Sequence, residues 1–266
     1  MNDPLPPELP LGKPTAIPES YAPEVLVALP RALARARLEI TETPFIGMDR
    51  WEAPELSWLD GSGKPCVALG EFRFASTSEM LIESKSLKLY LHSLNQDRFG
   101  SDADFRARIV RDLSGCAGCD VEVLLHPVGK ALEHARGCMP GTCIDTETLE
   151  NVDYTLRSDL LEGAAEGDSI EETLTTHLFR SLCPVTRQPD WASLALTYRG
   201  PRIARDKLLR YWISFRSTQA FHESCVERMF MDLDRYCRPE WVELDARFAL
   251  RGGLAIHPLR KSLQRT

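Results

Sequence analysis

The sequence predicts an α+β protein built as two modules in tandem. Three observations carry this. The order strand, helix, helix, strand occurs twice along the chain, and a polar, glycine-containing stretch, "EGAAEGDS" at 162–169, falls between the two passes. The chain has 266 residues and is 43% hydrophobic. That suffices for one large domain or for two units of roughly 100–150 residues.

Taken in order, residues 1–23 carry seven prolines, too many for a helix, and predict an extended amino-terminal arm. "KPCVALGEFRFAS" at 64–76 alternates as a strand does, with its apolar parity changing at Gly70 in the manner of a bulge. "ESKSLKLYLHSLNQ" places Leu87, Leu91 and Leu94 at helical spacing. A second helix follows in "DADFRARIVRDLSG", then a strand in "DVEVLLHP". In the second pass, "SIEETLTTHLF" and "ASLALTYRG" read as strands, the latter with Leu194, Leu196 and Tyr198 on one face. Helices follow in "ARDKLLRYWISFRS" and in "FHESCVERMFMDLDRYC", where Phe221, Cys225, Met229 and Leu233 recur every fourth residue. "EWVELDARFALRG" returns as a strand. The reading is thus an arm over 1–25, a module over 26–160 and a module over 161–266.

Charge and composition exclude several functions. A net charge of −7 argues against broad nucleic-acid binding, which needs a phosphate-neutralising basic face, although "RGGLAIHPLRKSLQR" is locally basic. No apolar run approaches the roughly 18 residues of a membrane span, and no secretion signal opens the chain, so the expectation is a cytoplasmic protein with reduced cysteines. Of the eight cysteines, Cys116, Cys119, Cys138 and Cys143 come close to a four-thiolate zinc spacing. The second pair lacks the usual tight knuckle, and free thiols are the favoured reading.

The stretch "HLFRSLCPVTRQPDW" at 177–191 sets a different problem. Cys183 falls just past a strand, where a loop can present it to a pocket, with Pro184 fixing the backbone after it. Asp190 stands next to Trp191, and contact with apolar surface would keep its carboxyl protonated as a general acid. A buried thiol and a turn-forming aspartate are the competing reading. In "FHE" at 221–223, His222 can donate a proton or wall a pocket, and Glu223 can serve a site or merely favour the helix dipole. "ESK" at 83–85 and "RGG" at 251–253 are likewise a solvated helix start and a turn unless other residues join them.

Together, "LIESKSLKLYLHSLNQDRF", "GTCID", "CPVTRQPDW", "LLRYWISFRSTQAFHESCVERMFMDL" and "RGGLAIHP" resemble the long, two-module form of the NADPH-dependent 7-cyano-7-deazaguanine reductases, the nitrile reductases of queuosine biosynthesis. "ESKSLKLY" is the signature that separates that family from its relative GTP cyclohydrolase I, which uses zinc. The resemblance implies tandem tunnelling-fold modules, antiparallel sheets with helices on one face, and a homodimer. It also implies a metal-free reduction of a nitrile to a primary amine by two NADPH, with no direct nucleic-acid or membrane partner.

Residue by residue, Cys183 matches the nucleophile, Asp190 the general acid, and His222 and Glu223 the pair that holds the substrate, His222 also serving the later proton steps. Ile82, Glu83 and Ser84 match a second substrate segment; Ser84, Lys85, Arg251 and Gly252 match the cofactor contacts. Such a site adds a thiolate to a nitrile carbon, protonates the nitrogen and so forms a covalent thioimide. Glu223 would accept adjacent N–H donors of the deazaguanine together, and Lys85 would meet a 2′-phosphate. Two positions depart from the pattern: Ala255 stands where relatives show aspartate, and Arg187 where a smaller or uncharged residue is usual. The readings that compete are a zinc-dependent pterin or purine hydrolase on the same fold and a non-catalytic deazapurine-binding protein.

Overall fold

The structure is a computed structural model that describes residues 16–129, 137–150 and 152–263. The first fifteen residues of the expected arm lie outside the described ones. A 3-10 turn at Pro23–Val25 leads to strand β1 (Ala28–Pro30) and helix α1 (Arg31–Arg37). The first long hairpin is β2 (Phe45–Leu59) and β3 (Pro65–Ala75), followed by the short β4 (Met80–Ile82). Helices α2 (Ser84–Ser93) and α3 (Asp102–Ala117) lead to β5 (Glu122–His126). After β6 (Thr142–Cys143) the pattern recurs: hairpin β7 (Ala165–Leu182) and β8 (Pro189–Ile203), helices α4 (Arg205–Ser214) and α5 (His222–Cys237), strands β9 (Trp241–Phe248) and β10 (Ala255–Ser262).

Eight strands form one sheet in the order β5-β3-β2-β10-β9-β8-β7-β6, antiparallel except where β6 runs parallel to β7. The last strand closes against the first hairpin, with Ile256 opposite Trp51 and Arg260 opposite Gly47, so the two passes share a continuous sheet. The helices cover one face. Trp51, Phe72 and Ile256 pack with Leu87, Tyr90 and Ile109 of α2 and α3 in one core. Leu194, Leu196 and Leu244 pack with Trp212 and Phe230 of α4 and α5 in the other. The opposite face is polar, tied by ion pairs such as Arg73–Glu71 (2.7 Å) and Arg247–Asp245 (3.1 Å). The fold class is therefore α+β, with the order strand, helix, helix, strand repeated as the sequence predicts.

Three details differ from the expectations. "EGAAEGDS" is not a linker: from Ala165 it already belongs to β7, which breaks register between Glu166 and Ser169 and then continues. Core parity on β3 holds from Ala68 through Phe72 and Phe74, and the extra residue lies instead on β2, between Ala53 and Leu56. Gly70 is the consequence: a Cβ there would meet Leu56 Cδ1 at 2.4 Å, so the bulge needs a glycine opposite it. Finally, β2 and β10 have no counterpart in the sequence reading. Asp49, Arg50 and Glu52 put charge on both faces of β2, and Pro258 with Arg260 and Lys261 does the same to β10, which hides the two-residue period.

Candidate functional site

Local backbone bonding brings the chemistry-bearing segments to one place. At the end of β7, Leu182 N–H donates to Thr218 O (2.8 Å) and its carbonyl accepts from Ala220 N–H (3.1 Å), which docks the strand end beside the start of α5. Cys183 then closes a tight hairpin loop: its N–H donates to Gln188 O (2.9 Å) and its carbonyl accepts from Arg187 N–H (3.0 Å). Arg187 takes a left-handed conformation, φ +58°, with its side chain exposed. Within the loop, Thr186 N–H donates to Cys183 Sγ at 3.5 Å, which orients the sulfur.

Asp190, the second residue of β8, points to the helix-covered face with Ala192 and Leu194. Trp191 necessarily points the other way, where Arg180 and Arg216 lie over its ring. The expected apolar contact of Asp190 with Trp191 is therefore corrected: neighbours in a strand face opposite sides. Its partners are Arg251, whose Nε lies 2.9 Å from Oδ1, and His222, whose Nε2 lies 3.4 Å from Oδ2. Arg251 Nη1 also donates to Thr186 Oγ1 at 3.3 Å, so one guanidinium ties the aspartate to the cysteine loop.

Phe221 is the N-cap residue of α5, and His222 and Glu223 open the helix. The His222 ring stacks on Phe248 with centroids 3.9 Å apart, which fixes its orientation, and its Nδ1 has no hydrogen-bond partner among the described residues. Glu223 is buried, and its Oε1 has no partner either. Burial pushes its carboxyl up, with the Asp49 carboxylate behind it adding repulsion, to about 8. The charges beneath it form a buried chain: Arg31–Asp49 (2.6 Å), Asp49–Arg260 (2.7 Å), Arg260–Glu227 (2.9 Å) and Glu227–Arg35 (2.7 Å).

These segments surround a cavity of about 30 Å³, the room of roughly one water molecule. Seven residues singled out from the sequence line it: Ile82, Ser84, Cys183, Asp190, His222, Glu223 and Arg251. Glu83, Lys85 and Gly252 do not. Glu83 is the N-cap of α2, and its two carboxylate oxygens accept from Lys85 N–H and Ser86 N–H, both at 2.8 Å. Burial raises its pKa against the pull of those two donors. Lys85 is half-buried in the first turn of α2, and Gly252 is exposed with φ +61° in the turn between β9 and β10.

That turn lies against α2. A Cβ on Gly253 would meet Lys88 Nζ, and Gly253, Lys88, His92 and Asn95 border a separate open cleft of about 190 Å³. Ala255 follows on the polar face, directly opposite Glu52, where an aspartate would put two carboxylates side by side. It is Ile256, one residue on, that reaches the cavity. The zinc spacing is not assembled. Cys116 and Cys119 flank the amino-terminal core while Cys143 sits on the far edge strand, and among the described residues no three His, Cys, Asp or Glu side chains gather as a metal set. Among those residues, no helix is long and apolar enough to cross a membrane.

Residues 17–125 match the family model described as "Nitrile reductase, 7-cyano-7-deazaguanine-reductase N-term", and residues 189–266 match the one described as "QueF-like protein". The chain belongs to the two-module 7-cyano-7-deazaguanine reductase family. The matched segments contain Asp190, His222, Glu223 and Arg251, and Cys183 falls just ahead of the second. Among solved structures the chain is similar to the archaeosine synthase QueF-Like in its apo form, at 14% identity and a TM-score of 0.33, over 38% of this chain and 98% of that one.

In this member of the nitrile reductase family, sequence reasoning missed the cavity residues Leu29, Trp51 and Leu81, as well as the Arg31–Asp49–Arg260–Glu227–Arg35 chain. Leu29 and Leu81 come from the small β1–β4 sheet, and with Val185 and Phe221 they form a separate apolar cluster over the site. The one available signal was "RALARAR", where Arg31 and Arg35 at a four-residue spacing share a face of α1.

Proposed function

We propose that the protein reduces the nitrile of 7-cyano-7-deazaguanine to the primary amine 7-aminomethyl-7-deazaguanine, through a covalent thioimide on Cys183 and with oxidation of two NADPH. The observation that carries this is one cavity in which a loop thiol, an ion-paired aspartate on β8, and an oriented imidazole and a buried carboxyl with one unpartnered oxygen at the start of α5 meet from three elements.

Cys183 attacks the nitrile carbon, its sulfur oriented by the Thr186 N–H. The addition moves one proton from sulfur to nitrogen. Asp190 carries it, and its contacts with Arg251 and His222 support that role by holding both carboxylate oxygens in place. His222 serves the proton steps that follow. Glu223 holds the base by accepting its adjacent ring N–H and amino donors, which satisfies the Oε1 otherwise left bare. Ile82 at the end of β4 and Ser84 at the start of α2 complete the substrate wall, and Glu83 acts by capping the helix that begins with Ser84. A cavity of about 30 Å³ must widen to admit a bicyclic base and can close on it again, which keeps the reduced intermediates from water.

NADPH supplies the hydrides. The fit of this chain to it rests on the Gly252–Gly253 turn, whose two positive φ values glycine takes without strain, and on three cations near it: Lys88, which borders the cleft of about 190 Å³, Lys85 one turn earlier on α2, and Arg251 at the start of the turn. We carry with this reading the homodimer, a cytoplasmic location, the absence of a metal, and the division into an arm over 1–25 and modules over 26–160 and 161–266.

The test is mass spectrometry of the protein with 7-cyano-7-deazaguanine, before and after NADPH. We expect a covalent adduct that needs no nucleotide, disappears in Cys183→Ala, and is discharged with two NADPH oxidised per base. An adduct that persists in Cys183→Ala overturns the assignment.

A further inference from the structure

Buried polar atoms without a protein partner are few in folded proteins, and each calls for an explanation. Three of those found among the described residues belong to walls of the same cavity: His222 Nδ1, Glu223 Oε1 and the indole Nε1–H of Trp51. Ser76, Ser181 and Trp212 also carry such atoms, and none of them lines this cavity. Trp51 is 2% exposed. Its ring is held edge-on against Phe74, with centroids 5.7 Å apart, between the cross-strand neighbours Phe72 and Ile256. Phenylalanine would supply that packing without leaving a buried donor unpaired.

We infer that Trp51 is a specificity-determining residue, whose indole N–H donates to the ring carbonyl oxygen of the base. This rests on the substrate proposed above. Glu223 pairs with the ring N–H and the amino group and does not read the carbonyl oxygen next to them; an amino group at that position also removes the ring N–H, so part of the discrimination is Glu223's own. A fixed N–H in the wall of the same cavity reads that oxygen, because a carbonyl satisfies the indole, whereas an amino group in its place sets donor against donor. Sites built to pair a substrate's polar group reject analogues that lack it, since the protein's own group is then left buried and unpaired.

The test uses full-length Cys183→Ala protein, which cannot form the adduct, with calorimetry of 7-cyano-7-deazaguanine and of the analogue whose ring carbonyl is replaced by an amino group, both without NADPH. Adding Trp51→Phe should weaken binding of the carbonyl compound about tenfold and lower the preference for it over the amino compound by a similar factor, as expected for one hydrogen bond between neutral groups. An unchanged preference overturns the inference. A second readout does not depend on that variant folding: of the five indole N–H resonances, the one assigned to Trp51 by single Trp→Phe replacements elsewhere should move downfield on binding. No movement overturns it. If the Cys183→Ala protein binds neither compound, it is the functional reading that fails, and this inference with it.

Discussion

Two glutamates one turn apart on α5 are both buried, and they have opposite environments. Glu227 is gripped by Arg35 and Arg260, and although burial pushes its carboxyl up, Arg260 and Arg35 outweigh that and hold it below the ordinary range. Glu223 has an unpartnered oxygen, faces the cavity, and is pushed up to about 8 by burial and by Asp49. One carboxylate is committed to the fold and the other is kept for a ligand. The comparison teaches that burial alone does not mark a functional acid; an unmet hydrogen-bonding capacity beside a cavity does.

The largest effect should come from breaking the satisfied member. Glu227→Ala removes the carboxylate shared by Arg35 and the buried Arg260, leaving Asp49 as the one counter-charge of Arg260, and denaturant unfolding should show a loss of about 3–5 kcal/mol. Glu223→Gln should cost no stability and should raise it at neutral pH, where the parent carboxyl must stay protonated to remain buried. Its cost appears in affinity for 7-cyano-7-deazaguanine, lowered on the order of 100-fold as two hydrogen bonds to a charged group are lost, measured by calorimetry on the Cys183→Ala background. Equal stability losses at the two positions would erase the distinction.

The pH dependences should have opposite signs. Glu227 has a depressed folded pKa, so its stabilising contribution is present above the unfolded value and is lost as pH falls through the folded one. Glu223 has a raised folded pKa, so its contribution is full below the ordinary 4.5 and is lost as pH rises through about 8. Stability measured between pH 5 and 8, roughly the span of that window, should decline with pH in the parent protein and flatten in Glu223→Gln. Because the ligand needs the ionised carboxylate, binding at neutral pH should also release up to about one proton, seen as a buffer-dependent enthalpy in calorimetry and absent in Glu223→Gln. The smallest effect is remote from both glutamates: Arg187→Gly should stabilise the hairpin by up to about 1 kcal/mol, since glycine takes the left-handed conformation without strain.

Much of this site is legible in the amino-acid sequence. Cys183 stands out there because it follows a strand and precedes proline, and it does close the loop between β7 and β8. The apolar spacing of "FHESCVERMFMDLDRYC" places α5 correctly, with His222 and Glu223 at its first turn. The surroundings of Asp190 are misread from sequence because adjacency along the chain is not adjacency in space, and a strand sends adjacent side chains to opposite faces. Glu83 carries no sign of its capping work, since the same Glu-Ser-Lys reads equally as a helix start or a binding segment. Trp51 is invisible because β2 is: its charged residues belong to a face whose partners lie about 200 positions along the chain, as Arg50 pairs with Asp245.

The sequence by itself determined the α+β class, the repeated order of elements, both helix pairs and the family, because these depend on short-range periodicity and on contiguous motifs. Only the tertiary structure decided that β10 closes on β2, that Arg251 reaches Asp190, that Trp51 stands bare at the cavity, and that Glu223 and Glu227 part in character. Each of those depends on which distant groups share a buried volume. In a low-dielectric interior, the partners a polar atom finds or lacks set its charge and its use, and no local pattern encodes them.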